Sequence, residues 1–369
     1  MQDQSFLILT PGFPKDEADT TCIPSVQSFV KSLQRLYPKL NIVVVATDYP
    51  YTTESYLWNG IEVVPLNHHN SKGLKRYVQL IRAYSRLKKI KAKHQVAGIL
   101  SLWGSYTALL GHVFGRRNAI QHYCWLRGQD VREGNRVAWF FRKRSHELIV
   151  LAPSMNDELE KNYGYKAAKI IPMAVDTDAF NGCSSTEKDI DIIGVGSLIP
   201  LKQWDVFVEV IAGLKKFHPT INCYLCGDGS ERSDLEHQIT SKGLSKNITL
   251  TAELPHEDVL RLMCRSKILL HPSSYEGYAA VFAEALYAGC YCISFVDPEQ
   301  QPIDHWHIAK DTEEMVKLCN EVLALPGSEF YSVVQYDMKD CVSSIMQLYN
   351  IPKAFPISLA IAGKESFVS

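Results

Sequence analysis

The first ten residues, Met1 to Thr10, contain no lysine or arginine and only a four-residue apolar run. They lack both the basic and the long apolar part of a secretory leader, and a cytoplasmic protein is expected. Ten cysteines are present, but they are scattered, and Cys223-Tyr224-Leu225-Cys226 has no second CxxC to complete a four-thiolate zinc site. In a strand, a separation of three turns those two thiols to opposite faces. Buried, reduced thiols are therefore expected, and no metal. There is no long hydrophobic run free of breakers. Val96 to Gly115 has no charged residue, but Gly98, Gly104 and Gly111 interrupt it, and it reads as a strand followed by a helix rather than a membrane span. No internal repeat and no nucleic-acid-binding module occurs, and the isoelectric point is near 6.9, so no nucleic-acid partner is expected.

What is present is a chain of 369 residues, 46% hydrophobic and 21% charged. A single core stops growing at roughly 250–300 residues, so two domains are expected. The net charge of −1 hides an asymmetry. Residues 1–175 hold 24 lysines and arginines against 13 aspartates and glutamates, whereas residues 176–369 hold 15 against 27. The basic half suits an anionic surface or substrate; drift of surface composition is the plainer alternative. Short aliphatic runs alternate with amphipathic segments in both halves, the pattern of parallel sheets covered by helices. A polar, turn-rich stretch at 176–189 separates them. The expected domains are 1–175, 176–351 and a tail, 352–369. Two doubly wound domains facing each other leave a cleft at the carboxyl ends of their strands, where ligands bind.

Three strand-end loops carry candidate chemistry. In His271-Pro272-Ser273-Ser274-Tyr275-Glu276-Gly277-Tyr278-Ala279-Ala280, a strand runs through a small-residue loop into a helix that contains Glu284. Free amides at such a helix start can hold a phosphate or a sugar hydroxyl. Glu276 and Glu284 are eight positions apart, about 12 Å along a helix, too far for the two to act on one glycosidic bond. That separation suits a long ligand gripped at two places, or two incidental glutamates. Gly194-Val195-Gly196-Ser197-Leu198-Ile199-Pro200-Leu201-Lys202 is a second strand-end loop; Lys202 can neutralise a departing diphosphate. It is not a dinucleotide fingerprint, since Ile199 stands where GxGxxG needs its third glycine. Gly227-Asp228-Gly229 is a third.

With these loops in order, and with Ile171-Pro172-Met173-Ala174-Val175-Asp176 ahead of them, the chain resembles the retaining GT-B glycosyltransferases of family 4. The resemblance implies an α/β fold of GT-B architecture, with two Rossmann-like domains facing across a cleft: an acceptor-binding amino domain and a nucleotide-sugar-binding carboxyl domain. It implies that Glu284 holds the donor ribose, while Glu276 and the backbone of Gly277, Tyr278, Ala279 and Ala280 hold the transferred sugar and phosphates. Lys202 would face the diphosphate, and Ser197 stands where the family often has an arginine. Trp125-Leu126-Arg127-Gly128-Gln129-Asp130 occupies the place of a His-Gly-x-Asp run, so Arg127 and Asp130 become acceptor-side candidates, with Arg127 beside the reacting sugar. Arg127 is alternatively a structural partner of Asp130. Gly12 is the single glycine of the first loop.

The implied activity is retaining, metal-independent sugar transfer from a nucleoside diphosphate sugar to a glycan or polyprenyl-linked acceptor, as in bacterial surface polysaccharide synthesis, with no cofactor. A sugar-nucleotide epimerase on the same scaffold is the alternative. Residues 72–94 hold nine basic and no acidic residues, with Tyr77, Leu80, Ile81, Tyr84, Leu87 and Ile90 at helical spacing. That helix either lies against anionic headgroups at the inner face of a membrane or turns its apolar stripe into the core.

Overall fold

The computed structural model describes residues 4–68, 74–181 and 187–353, with side chains throughout except at 74–77. The amino-terminal lobe runs β1 (Gln4–Gly12), α1 (Pro24–Leu36), β2 (Asn41–Tyr49), β3 (Tyr56–Trp58), β4 (Ile61–Pro65), α2 (Leu74–Lys93), β5 (Gln95–Leu102), α3 (Tyr106–Asn118), β6 (His122–Trp125), α4 (Arg136–Phe141), β7 (Leu148–Val150), α5 (Pro153–Tyr163) and β8 (Lys169–Ile170). The chain continues through β9 (Ile190–Val195), α6 (Trp204–Leu214), β10 (Cys223–Cys226), α7 (Arg232–Ser241), β11 (Ile248–Leu250), α8 (His256–Cys264), β12 (Ser266–His271), α9 (Ala280–Tyr287), β13 (Tyr291–Ser294), β14 (Trp306–Ile308), α10 (Thr312–Leu323) and α11 (Met338–Gln347).

Two sheets result. The first has eight strands in the order β3-β4-β2-β1-β5-β6-β7-β8, and the second has six in the order β11-β10-β9-β12-β13-β14. All ladders are parallel except β3 with β4. The α/β class with two facing parallel-sheet domains is thus as expected. The strands are apolar on both faces because helices cover both. In β1, Phe6 and Ile8 enter one core while Leu7 and Leu9 enter another, all four fully buried. Cys223 and Cys226 likewise fall in different cores on opposite faces of β10. Among the described residues eight cysteines are free thiols, seven of them buried, but Cys264 is disulfide-bonded, against the expectation that all would be reduced.

Helix α1 shows why the pattern was readable. Pro24 opens it, and Val26, Phe29, Val30 and Leu33 form one buried face. Two strands were not anticipated. β3 is joined to β4 by Asn59-Gly60, both at positive φ, the residue pair that suits a two-residue hairpin turn. β14 is three residues long. β6 begins only at His122, because Ala119 adopts the left-handed conformation and caps α3 through Gly115 O. The uncharged stretch 96–115 divides between β5 and α3, and no described helix is long and apolar enough to cross a membrane. In α2, Ala83, Leu87 and Ile90 are buried while Val78 and Ile81 stay exposed. Most of the tail at 352–369, part of the separating stretch at 182–186, and Lys72 lie outside the described residues.

The last helix crosses back. After α10 the chain returns beside Val175, whose amide donates to Tyr336 O and whose carbonyl accepts from Met338. α11 then packs on α1 of the amino-terminal lobe. Tyr349 follows it into that core. Its hydroxyl donates to Ile99 O at 2.7 Å, and its ring meets Phe6 edge-on at 4.8 Å. A Cβ on Gly98 would lie 2.4 Å from the Tyr349 ring, so glycine is required there by close approach. Truncating Tyr349→Ala should cost about 3–5 kcal/mol, as for other buried aromatics. Tyr349→Phe should cost only about 1 kcal/mol. Urea unfolding of the three proteins checks this, and equal midpoints would show that the returning segment does not hold the amino-terminal lobe.

Candidate active site

Three strand ends build the site. β9 ends in Gly194-Val195-Gly196, β10 in the turn at Gly227, and β12 in the loop 272–279 that leads to α9. The first two loops touch backbone to backbone. A Cβ on Gly227, which has φ of +149°, would fall 2.0 Å from Gly196 O. The first and third loops are tied through one carbonyl: Leu201 O accepts from Ser274 N at 3.0 Å and from the hydroxyls of Ser273 and Ser274, both at 3.1 Å. This tie sets Lys202, in a single helical turn (Pro200–Lys202), opposite Glu276.

Lys202 Nζ donates to Glu276 Oε1, and His271 Nε2 lies 3.0 Å from the same oxygen. His271 is fully buried, with Trp204 and Phe282 edge-on to its ring. Burial alone pushes the Glu276 carboxyl up, but the His271 hydrogen bond and the Lys202 charge outweigh it and hold the group at about 2. Glu276 is therefore ionised at any physiological pH.

Glu284 sits one turn into α9 and faces elsewhere. Its Oε1 lies 2.9 Å from His256 Nε2, at the start of α8. Burial disfavours the His256 cation, yet the Glu284 carboxylate outweighs burial and lifts the imidazole above its ordinary value. Both line a cavity of about 280 Å³ between the lobes, with Gly196, Ser197, Gly227 and Ala280 from one side and Thr21, Pro24 and Ser25 from the other. α9 begins at Ala280 with no side-chain cap; Phe282 N donates to Ala279 O at 3.1 Å, while the amides of Ala280 and Val281 have no partner among the described residues and can take a ligand. Glu276 and Lys202 do not line this cavity. Because residues 276–279 precede the helix, the helical rise does not measure the separation of the two glutamates. They differ instead in direction, one turned to Lys202 and the other into the cavity.

The other candidates are placed as follows. Gly277 is pressed against Gly128 of the opposite lobe: a Cβ on either would lie within 2.7 Å of the other's backbone. Tyr278 is buried, and its hydroxyl donates to Gln335 Oε1 at 2.8 Å, so only its backbone faces the loop. Asp130 Oδ2 accepts from the amides of Gly104 and Arg127, both at 2.7 Å, and burial lifts its carboxyl to about 6 against those bonds. The Arg127 guanidinium is not in that pair. It lies over the rings of Trp125 and Trp103, at 4.7 and 5.2 Å, with Nε and Nη2 buried and without a hydrogen-bond partner among the described residues. Burial pulls it down to about 10, although Asp130 opposes the shift, so it keeps its charge. Gly12, at the end of β1, is outside the cavity. Sequence reasoning missed His256, His271 and Tyr275. The Tyr275 hydroxyl reaches both Gly128 O at 2.6 Å and Glu158 Oε2 at 2.7 Å across the cleft. His271 opens the third loop and was within reach of a motif reading; His256 and Glu158 come from other segments and were not.

A sequence model of the family described as Glycosyl transferases group 1 matches residues 177–301, the stretch that holds all three loops. Over 203 residues the chain is 27% identical to the phosphatidylinositol N-acetylglucosaminyltransferase GPI3 subunit of Saccharomyces cerevisiae, covering 49% of this chain. The chain spans 44% of that relative's length. Sucrose-phosphate synthase from Thermosynechococcus elongatus superposes with a TM-score of 0.71 at 15% identity, over 94% of this chain and 98% of that one. Anabaena Alr3699/HepE, in complex with UDP and glucose, does so with a TM-score of 0.66 at 11% identity, over 94% and 99%. These likenesses identify the fold as GT-B.

The depressed Glu276 value makes a pH prediction. A carboxyl at about 2 in the folded state and near 4.5 when unfolded contributes stability above pH 4.5, which is lost as pH falls toward 2. In urea titrations across that window the natural protein should lose more stability than Glu276→Gln. Parallel curves would show that the ion pair is not held as described.

Proposed function

We propose that the protein is a retaining, metal-independent glycosyltransferase of family 4. It would move a sugar from a nucleoside diphosphate donor to a glycan or polyprenyl-linked acceptor, of the kind built in bacterial surface polysaccharide synthesis. The observation that carries this reading is the interlobe cavity, with Glu284 at one end, free helix-start amides beside it and Lys202 on the neighbouring loop. A nucleoside ribose would meet the Glu284 carboxylate. The diphosphate would take the amides at Ala280 and Val281 and draw Lys202 from Glu276. Glu276, kept ionised by His271, would then accept hydrogen bonds from the hydroxyls of the transferred sugar.

In this reading the acceptor hydroxyl attacks the anomeric carbon on the face from which the diphosphate leaves. The C–O bond to phosphate breaks, the new glycosidic bond forms, and the acceptor proton passes to the departing diphosphate oxygen. Lys202 and the α9 amides stabilise the charge that develops there. Asp130 shapes the amino-terminal side by holding the Gly104 and Arg127 amides. HepE is solved with UDP and glucose, which supports a uridine-type donor, and the yeast relative is named for phosphatidylinositol, which supports a lipid-borne acceptor.

We also propose that the protein works at the inner face of a membrane. In α2, Arg82, Arg86, Lys88, Lys89, Lys91 and Lys93 are exposed, as are Val78 and Ile81, while Ala83, Leu87 and Ile90 are buried and Leu80 and Tyr84 half-buried. The support is thus a rim of cations around two exposed aliphatic side chains.

A thermal-shift screen against nucleotide sugars should find a donor that raises the melting point. With that donor, Lys202→Ala and Glu276→Ala should lower transfer at least about 100-fold, the loss typical of one electrostatic group, while circular dichroism stays unchanged. Glu284→Ala should mainly raise the donor KM. Full activity in the Lys202 or Glu276 variant would refute their roles, and conversion of donor without acceptor would identify an isomerase.

A further inference from the structure

The amino-terminal lobe holds a second polar cluster at the end opposite the cleft, where β6 and β7 begin. His112 comes from α3, His122 is the first residue of β6, and Glu147 immediately precedes β7. His112 Nδ1 lies 2.8 Å and His122 Nδ1 3.1 Å from the same atom, Glu147 Oε2. One donor atom from each of the three lies within 4.8 Å of the others. Together they border an open pocket of about 610 Å³.

Ser101 Oγ lies 2.9 Å from Thr107 O, to which it donates, and 3.0 Å from His122 Nε2, from which it can accept, leaving Nδ1 as the ligating atom. The Nδ1 atoms of His112 and His122 thus converge on one carboxylate oxygen from two separate elements, with the pocket beside them. We propose that His112, His122 and Glu147 bind a divalent transition metal of the zinc class, with a fourth position open to the pocket.

Three further observations fit a built site. Two imidazoles and one carboxylate with an open position are a donor set that zinc takes readily. The Ser101 hydroxyl supplies the outer hydrogen bond that fixes a ligating imidazole in one tautomer and orientation. A Cβ on Gly111 would lie 2.4 Å from Ser101 Oγ and 2.6 Å from His122 Nε2. Helix α3 therefore carries a glycine in its interior, a poorer helix former than alanine, where it must close on that pair. Tetrahedral donors about 2.1 Å from zinc stand roughly 3.4 Å apart, so the two histidine–carboxylate spacings of 2.8 and 3.1 Å need to open by roughly half an ångström or less. The His112 Nδ1 proton would leave to water on binding. Arg116, Lys143 and Arg144 line the same pocket, and their charge favours an anion or hydroxide as the fourth ligand.

The full-length protein, stripped with chelator, should take up one equivalent of Zn²⁺ by calorimetry. Co²⁺ in its place should show visible bands without the intense thiolate absorption that a cysteine site would give. His112→Asn and Glu147→Gln should abolish the uptake, and Ser101→Ala should weaken it about 10–100-fold. No stoichiometric uptake, a thiolate band, or uptake that survives in both ligand variants would each overturn the proposal. Crystals of the unaltered protein grown with Zn²⁺ need no variant. An anomalous peak within bonding distance of the three side chains supports the site, and a peak elsewhere or none refutes it.

Discussion

A carboxylate almost out of water is costly unless it is paired and hydrogen-bonded, and Glu276 is such a group. Its ionisation rests on His271 behind it and Lys202 opposite, and these three residues come from two loops and a strand end. The ion pair can form only if β9 and β12 stand side by side in register, as their pairing shows. The two loops must also be tied, as they are through Leu201 O. The packing of the carboxyl-terminal lobe around Trp204 and Phe282 therefore serves the charge as much as the core.

The second constraint is the approach of the lobes. Gly128 and Gly277 meet backbone to backbone, and Tyr275 reaches across to Gly128 and Glu158. Behind them the chain crosses between lobes twice, at Val175 and again at Tyr336 to Met338, and the two crossings hydrogen-bond to each other. The first crossing is also pinned by Arg35, which pairs with Asp176 and Asp178. The loop bearing Glu276 is thus held from both lobes, and the cavity beside Glu284 takes part of its wall from Thr21, Pro24 and Ser25.

Much of this was legible along the chain. In α1 and α10 the apolar spacing and the terminal signals agree. The three strand-end loops stood out because Gly, Ser and Pro gather there between aliphatic runs. β3 escaped notice, although Asn59-Gly60 announces a hairpin, because one turn of strand carries too little pattern by itself. α11 escaped because its apolar face is matched to α1, far back in the chain, and Tyr349 behind it packs on Phe6 and Ile99. Arg127 was seen as a candidate, but its place over two tryptophan rings, apart from Asp130, was not.

By itself, the sequence determined the alternation of parallel strands and helices, the division into a basic and an acidic half, and the identity of the chemical groups at the strand ends. Those properties are local, written in periods of two and 3.6 residues and in the turn chemistry between them. Only the tertiary structure decided which groups face one another: Glu276 with Lys202 and His271, Glu284 with His256, Gly128 with Gly277, and His112 with His122 and Glu147. Each pairing joins segments far apart in the chain, or turns a side chain that spacing alone leaves free. Partners of that kind are chosen by sheet order and lobe closure.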